Sequence, residues 1–181
     1  GGILPPFYFY SMNLRETILA EHSKAQKDKI VKWVGNSQPR FEQLFSLFLN
    51  DEARVKQCAA YPLSYCVEAH PELIQKHLGK LIKNLDKKDL HDAVIRNTMR
   101  ILELIDIPER YHGEVMNRCF DYIQSPQEKV AVKAYSLTIL DTLSKQYPDI
   151  KQELKTIIEE RWDYETAAFH SRAKKILKNL K

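Results

Sequence analysis

The sequence predicts an all-α protein: a right-handed α–α superhelix, or α-solenoid, of about four to five helical pairs. Three observations lead there. Only five of the 181 residues are glycine, while Leu, Ile, Lys, Glu and Ala are plentiful, a balance that favours helix over turn-rich β structure. Apolar residues recur in threes and fours rather than in alternation. The same apolar pattern returns with a period of about 38 residues.

Taken in order, the first helices are expected near residues 14–21, 24–34 and 39–49. Ser23 to Gln26 has the spacing of a capping box ahead of the second. Gly35-Asn36 reads as the end of that helix, with a left-handed residue. The third carries Phe41, Leu44, Phe45 and Phe48 on one face.

A matched series follows near 52–69, 90–105, 127–145 and 165–179. Its members open on Val55, Val94, Val132 and Phe169. From each, mostly apolar or small residues fall at +3/+4, +7/+8 and +11, the spacing of one buried helical face. Asn97 and Arg172 are the polar interruptions. Ser125 to Glu128 has a second capping-box spacing, and Asp89 or Asp92 is expected to cap the 90–105 helix.

A second helix follows each of the first three, near 72–86, 109–124 and 149–162. The starts are marked by His70-Pro71, Ile107-Pro108 and Tyr147-Pro148, since proline loses nothing in a first turn. Such pairs cannot bury an apolar face alone, so neighbours must stack into one core spanning residues 13–181. A compact bundle without superhelical stacking is the structural alternative. Residues 1–12 read as a leader or tag-like aromatic segment. Its Pro5-Pro6-Phe7-Tyr8-Phe9-Tyr10 run is expected to contact the terminal helices or a neighbouring molecule.

Paired helices of this length, with Pro62 inside a first helix, resemble HEAT repeats. The texture of EHSKAQKDKIVKWVGN, LSYCVEAHPELIQKHL, LHDAVIRNTMRILE and AAFHSRAKKILKNLK is similar to small bacterial, Bacteroidetes-type HEAT-like proteins without an assigned activity. The resemblance spans about residues 13–181. It implies the solenoid fold and no catalytic residue. Ile101, Ile139 and Ile176 stand where Pro62 would recur.

Reactive letters cluster in CAAYPLSYCVEAHPEL, residues 58–73. Cys58 and Cys66 lie roughly 12 Å apart along one helix, too far to share a zinc. They fall on core positions, so burial is expected, with no metal and no disulfide. His70 sits at a helix junction whose later counterpart is Tyr147. No glycine-rich phosphate loop, H-E-x-x-H or G-x-S-x-G occurs. Trp33 and Trp162 are expected to pack at element ends. No catalytic residue, cofactor or metal is predicted.

The formal charge of +4 is mild, and the basic residues are spread evenly along the chain. No run is long and apolar enough to span a membrane, and the N-terminus lacks a basic region before its apolar stretch. The odd, scattered cysteines point to a reducing cytoplasm. The second helices are expected to line the concave surface. Lys76, Lys80, Lys83 and Lys87 form a basic ridge there, followed by a mixed stretch with Arg118 and Tyr122, then an acidic one. These six residues are the candidate partner-binding set. A graded ridge suits a protein or peptide partner better than a nucleic acid, which would want positive charge throughout. The expected function is a non-enzymatic scaffold binding another protein through its concave face. The alternative is a nucleic-acid-binding or DNA-repair-like module.

Overall fold

The computed structural model describes residues 12–181, so the aromatic segment before Met12 lies outside the described residues. Ten α-helices and no strand occur among them. In chain order they are α1 (Leu14–Ala20), α2 (Lys24–Val34), α3 (Gln38–Asn50), α4 (Ala53–Ala69) and α5 (Leu78–Asn84). Then follow α6 (Asp92–Leu104), α7 (His112–Gln124), α8 (Val130–Ser144), α9 (Ile150–Arg161) and α10 (Ala167–Asn179).

The helices form two layers. α2, α4, α6, α8 and α10 lie side by side, each against the next, while α3, α5, α7 and α9 cover them from one side. One continuous core runs between the layers. The positions predicted from the repeat are its substance. Val55, Val94, Val132 and Phe169 are buried, as are Leu63, Leu102, Leu140 and Ala173. From the other layer come Phe41, Phe48, Leu78, Leu81, Cys119, Ile123, Leu154 and Ile158. This stacking, not a compact bundle, makes the chain an all-α solenoid.

The two layers differ in packing. α4, α6, α8 and α10 approach one another closely, whereas α5, α7 and α9 stand further apart. The second helices, with their basic ridge, form the more open layer. The close layer buries Ala59, Ala60, Ser64, Thr98, Ala134, Ser136 and Ala173 beside its larger aliphatic residues, and small side chains let packed helices approach.

Three local expectations also change. The 72–86 helix is a 3₁₀ turn over Pro71–His77 followed by the short α5. The Leu73 carbonyl there accepts from Gln38 Nε2 at 3.0 Å. Ser125 closes α7 rather than opening α8. Its amide donates to the carbonyls of Asp121 and Tyr122, and α8 starts only at Val130. Neither Asp89 nor Asp92 caps α6. His91 does, its Nδ1 accepting from the Ala93 amide at 3.0 Å, while Asp89 takes a positive φ of 59° in the preceding turn.

Other local readings hold. Ser23 Oγ accepts from the Gln26 amide at 3.1 Å, and Gly35 ends α2 with φ 51°. Gln26 turns its own side chain to the Thr17 carbonyl. Trp33 and Trp162 sit at element ends against the core. Arg40 lies over the Trp33 ring, and His170 stacks on Trp162 at 4.2 Å.

Candidate functional site

Three of the six predicted residues converge. Lys80, Lys83 and Lys87 line a groove of about 480 Å³ between the end of α3 and α5. Leu49, Asn50, Asn84 and Asp86 complete its wall. Helical spacing places Lys80 and Lys83 on one face of α5, because Leu78, Leu81 and Ile82 take the opposite face into the core, and Lys87 follows in the loop after it. Lys87 Nζ donates to the Leu49 carbonyl at 3.2 Å, which pins the loop after α5 to the end of α3. Lys80 and Lys83 have no carboxylate partner among the described residues, in contrast to their neighbour Lys76.

A second groove, of about 270 Å³, adjoins the first and shares Lys87. Lys56, Lys88, His91 and one carboxylate, Asp89, line it over Ala53, Leu90 and Val94. Five lysines therefore surround two contiguous depressions with partly apolar walls. Lys56 and Lys88 come from α4 and from the loop before α6. That convergence depends on tertiary packing, and no reading of the ridge alone would have found it.

The other three predicted residues are engaged elsewhere. Lys76 Nζ lies 2.9 Å from Glu42 Oε1, which His77 Nε2 also reaches at 3.0 Å. Lys76 and His77 hold the Glu42 carboxyl at about 2, well below the usual range. Arg118 reaches the Leu85 carbonyl at 3.3 Å and pairs with Asp86. It thereby neutralises the one carboxylate in the lysine groove. Tyr122 is packed against the core, and burial raises its hydroxyl pKa.

The α2–α4–α6–α8–α10 layer holds a set of residues that the sequence reading missed. Lys27 Nζ sits 4.0 Å from the Tyr65 ring centre, and the Arg100 guanidinium lies 4.2 Å from the same ring. Arg100 also bonds Ser64 Oγ at 3.2 Å and pairs with Glu68 at 3.0 Å. Further along, Arg172 lies over Tyr135 and donates to Thr138 Oγ1, the Ala134 carbonyl and Glu103 Oε1. These cations are already partnered within the protein and tie neighbouring helices together. Lys80 and Lys83 of the groove beside α5 have no ion-pair partner, so the groove is the better site for an external anion.

Nothing here assembles a nucleophile with a base. Burial pushes the Cys66 and Cys119 thiols up to about 12, where the reactive thiolate is scarce. Both nitrogens of His112 are engaged, by Tyr147 Oη at 2.9 Å and the Ile107 carbonyl at 2.6 Å. His70 Nδ1 lies 3.3 Å from Glu72 Oε1. No group of three metal-ligating side chains occurs among the described residues.

A family model described as the HEAT repeat domain matches residues 14–180, nearly the whole chain. The chain belongs to the HEAT repeat domain family. Comparison with curated proteins and with solved structures returned no match. As HEAT repeats, the paired helices make a helical scaffold, and members of the family are generally non-catalytic. No helix among the described residues is long and apolar enough to cross a membrane. Within the HEAT array, Pro62 is buried inside α4 and Cys58 and Cys66 face the core on either side of it. The stretch of reactive letters is therefore helix packing and a helix junction.

Proposed function

We propose that this chain is a non-enzymatic HEAT scaffold that binds another protein, and that an acidic segment of that partner lies in the lysine groove of α3 and α5. One observation carries the reading. Lys80 and Lys83 flank a partly apolar groove with no carboxylate partner, while Arg118 cancels Asp86 beside them. Desolvating lysine ammonium groups against an acidic strand gives charge complementarity, and the Leu49 wall gives apolar contact. Lys87 and the adjoining groove with Lys56 and Lys88 extend the footprint. Lys76, Arg118 and Tyr122 frame it rather than touch the partner. The α4–α6–α8–α10 layer, with its cations spent on Tyr65, Tyr135, Glu68 and Glu103, serves cohesion.

Buried, unpaired Cys58, Cys66 and Cys119 suit a reducing cytoplasm, and the sequence texture suits a bacterial source. The test is a pull-down from the native host with wild type and with K80E/K83E. Loss of a specific partner, with unchanged helicity and stability, supports the groove. A variant that retains every specific partner rules it out.

A nucleic-acid reading rests on the same five lysines. It is weaker, because the outer faces of α7 and α9 carry Glu114, Asp121, Glu153 and Glu159, which interrupt any phosphate track. Duplex and single-stranded DNA titrations at low salt decide it. No measurable binding there ends that reading.

A further inference from the structure

The layer of second helices is charged unequally at its two ends. At the α5 end, Lys80 and Lys83 flank a partly apolar groove and have no carboxylate partner among the described residues. At the other end, α9 runs into a short 3₁₀ turn, Trp162–Tyr164. Glu159, Glu160 and Asp163 are exposed there. None of the three has an ion-pair partner among the described residues, in contrast to Glu165, which Lys133 and Arg161 hold. Arg161, the chain neighbour of Glu160, is therefore spent. Tyr164 stands beside these carboxylates and is 78% exposed, more than any other large hydrophobic side chain among the described residues.

The two features complement each other. The groove offers ammonium groups and an apolar wall at Leu49, and the corner offers carboxylates and an aromatic ring. The repeat also relates them. Glu159 and Asp163 lie two periods of about 38 residues after Lys83 and Lys87. Equivalent positions of stacked repeats face the same side of the array. Groove and corner therefore open on one side of the molecule. They sit at opposite ends of the layer with α7 between them, so a single copy cannot join them.

We infer that the Glu159–Tyr164 corner of a second copy of this chain occupies the lysine groove, its carboxylates on Lys80 and Lys83 and Tyr164 against the wall at Leu49. This rests on the reading that the groove takes an acidic protein segment, and it names the partner. A two-fold axis sets each groove against the other copy's corner, so the contact is made twice and closes as a dimer. Most of it is exposed charge, which salt screens. Association is accordingly weak and falls as ionic strength rises.

The experiment is sedimentation velocity of the full chain up to millimolar concentration, at low and at high salt. Wild type should move towards twice the monomer mass at low salt and return to monomer at high salt. K80E/K83E and E159K/D163K should each stay monomeric. Their equimolar mixture should dimerise again, because each groove then meets an oppositely charged corner, a rescue that damage to the fold would not allow. Y164S should weaken the dimer about fivefold or more. K174E/K175E makes the same change of net charge on α10 and should dimerise like wild type. Wild type that is monomeric throughout overturns the inference. So does a mixture that fails to re-associate, or a loss in K174E/K175E equal to that in K80E/K83E. A monomeric wild type whose host partner is still lost in K80E/K83E overturns the dimer and leaves the groove reading standing. A dimer that needs Lys80 and Lys83, with every host partner retained by K80E/K83E, does the reverse.

Discussion

Asn97 and Arg172 interrupt the apolar pattern, and the structure gives both a reason. Asn97 is buried, accepts from Ser64 Oγ at 2.9 Å and donates to the Ala93 carbonyl at 2.8 Å, so it links α6 to α4. Arg172 links α10 to α8 and α6. Their polarity was legible in the sequence, but their partners lie 33 to 69 residues away. Cys58 and Cys66 show the opposite case. Their place in the repeat register was enough to predict burial, and both are buried. The same register predicts their reactivity. At pH 8 a disulfide-exchange reagent should leave Cys66 and Cys119 untouched in the native protein, because burial pushes these two thiols up to about 12, and should titrate all three cysteines after denaturation.

Glu42 gives a residue-scale pH dependence. Its carboxyl titrates at about 2 in the folded chain against an ordinary 4.5, held down by Lys76 and His77. A depressed folded pKa stabilises above the unfolded value and is lost as pH falls through the folded one. Stability should therefore fall as pH drops from about 4.5 towards about 2. E42Q should flatten that part of the profile, as measured by denaturant midpoints at each pH. An unchanged slope in E42Q would remove Glu42 from the account.

At the scale of elements, termini were harder to read than faces. Both Ser23 and Ser125 precede a glutamine or glutamate by three residues. Only Ser23 caps, because Ser125 is already committed to closing α7. A local motif cannot report which of two adjacent helices claims it. S23A should therefore destabilise the protein by about 1 kcal/mol, whereas S125A should stay within about 0.5 kcal/mol. Equal effects in urea titrations would contradict the two assignments. The 3₁₀ turn at Pro71–His77 has a similar origin. Its amphipathic spacing matched an α-helix, and a tertiary bond from Gln38 accompanies the tighter winding.

Across the whole molecule, each helix touches mainly its sequence neighbours and its layer neighbours. Stability in such an array is close to a sum of local terms. Trp33 and Trp162 stand at opposite ends and make natural probes. F169A empties a fully buried site in α10. In W33F and W162F backgrounds, F169A should lower the urea midpoint reported by Trp162 more than that reported by Trp33. Equal displacement would show that the array unfolds as one unit.

The sequence by itself determined the all-α class, the stacked pairs, the buried face of almost every helix and the basic character of α5. These follow from local periodicity, which is written residue by residue into the chain. Tertiary structure decided which layer packs more closely. Both layers repeat with the same period, so the difference depends on how closely helices approach. The small residues Ala59, Ala60, Ser64, Ala134 and Ala173 let the α4–α6–α8–α10 layer close up. Tertiary structure also decided that Lys80, Lys83 and Lys87 meet Lys56 and Lys88, and that Arg172 meets Glu103. Those are meetings between distant segments. Their distances are set by packing, and periodicity within one helix carries no record of them.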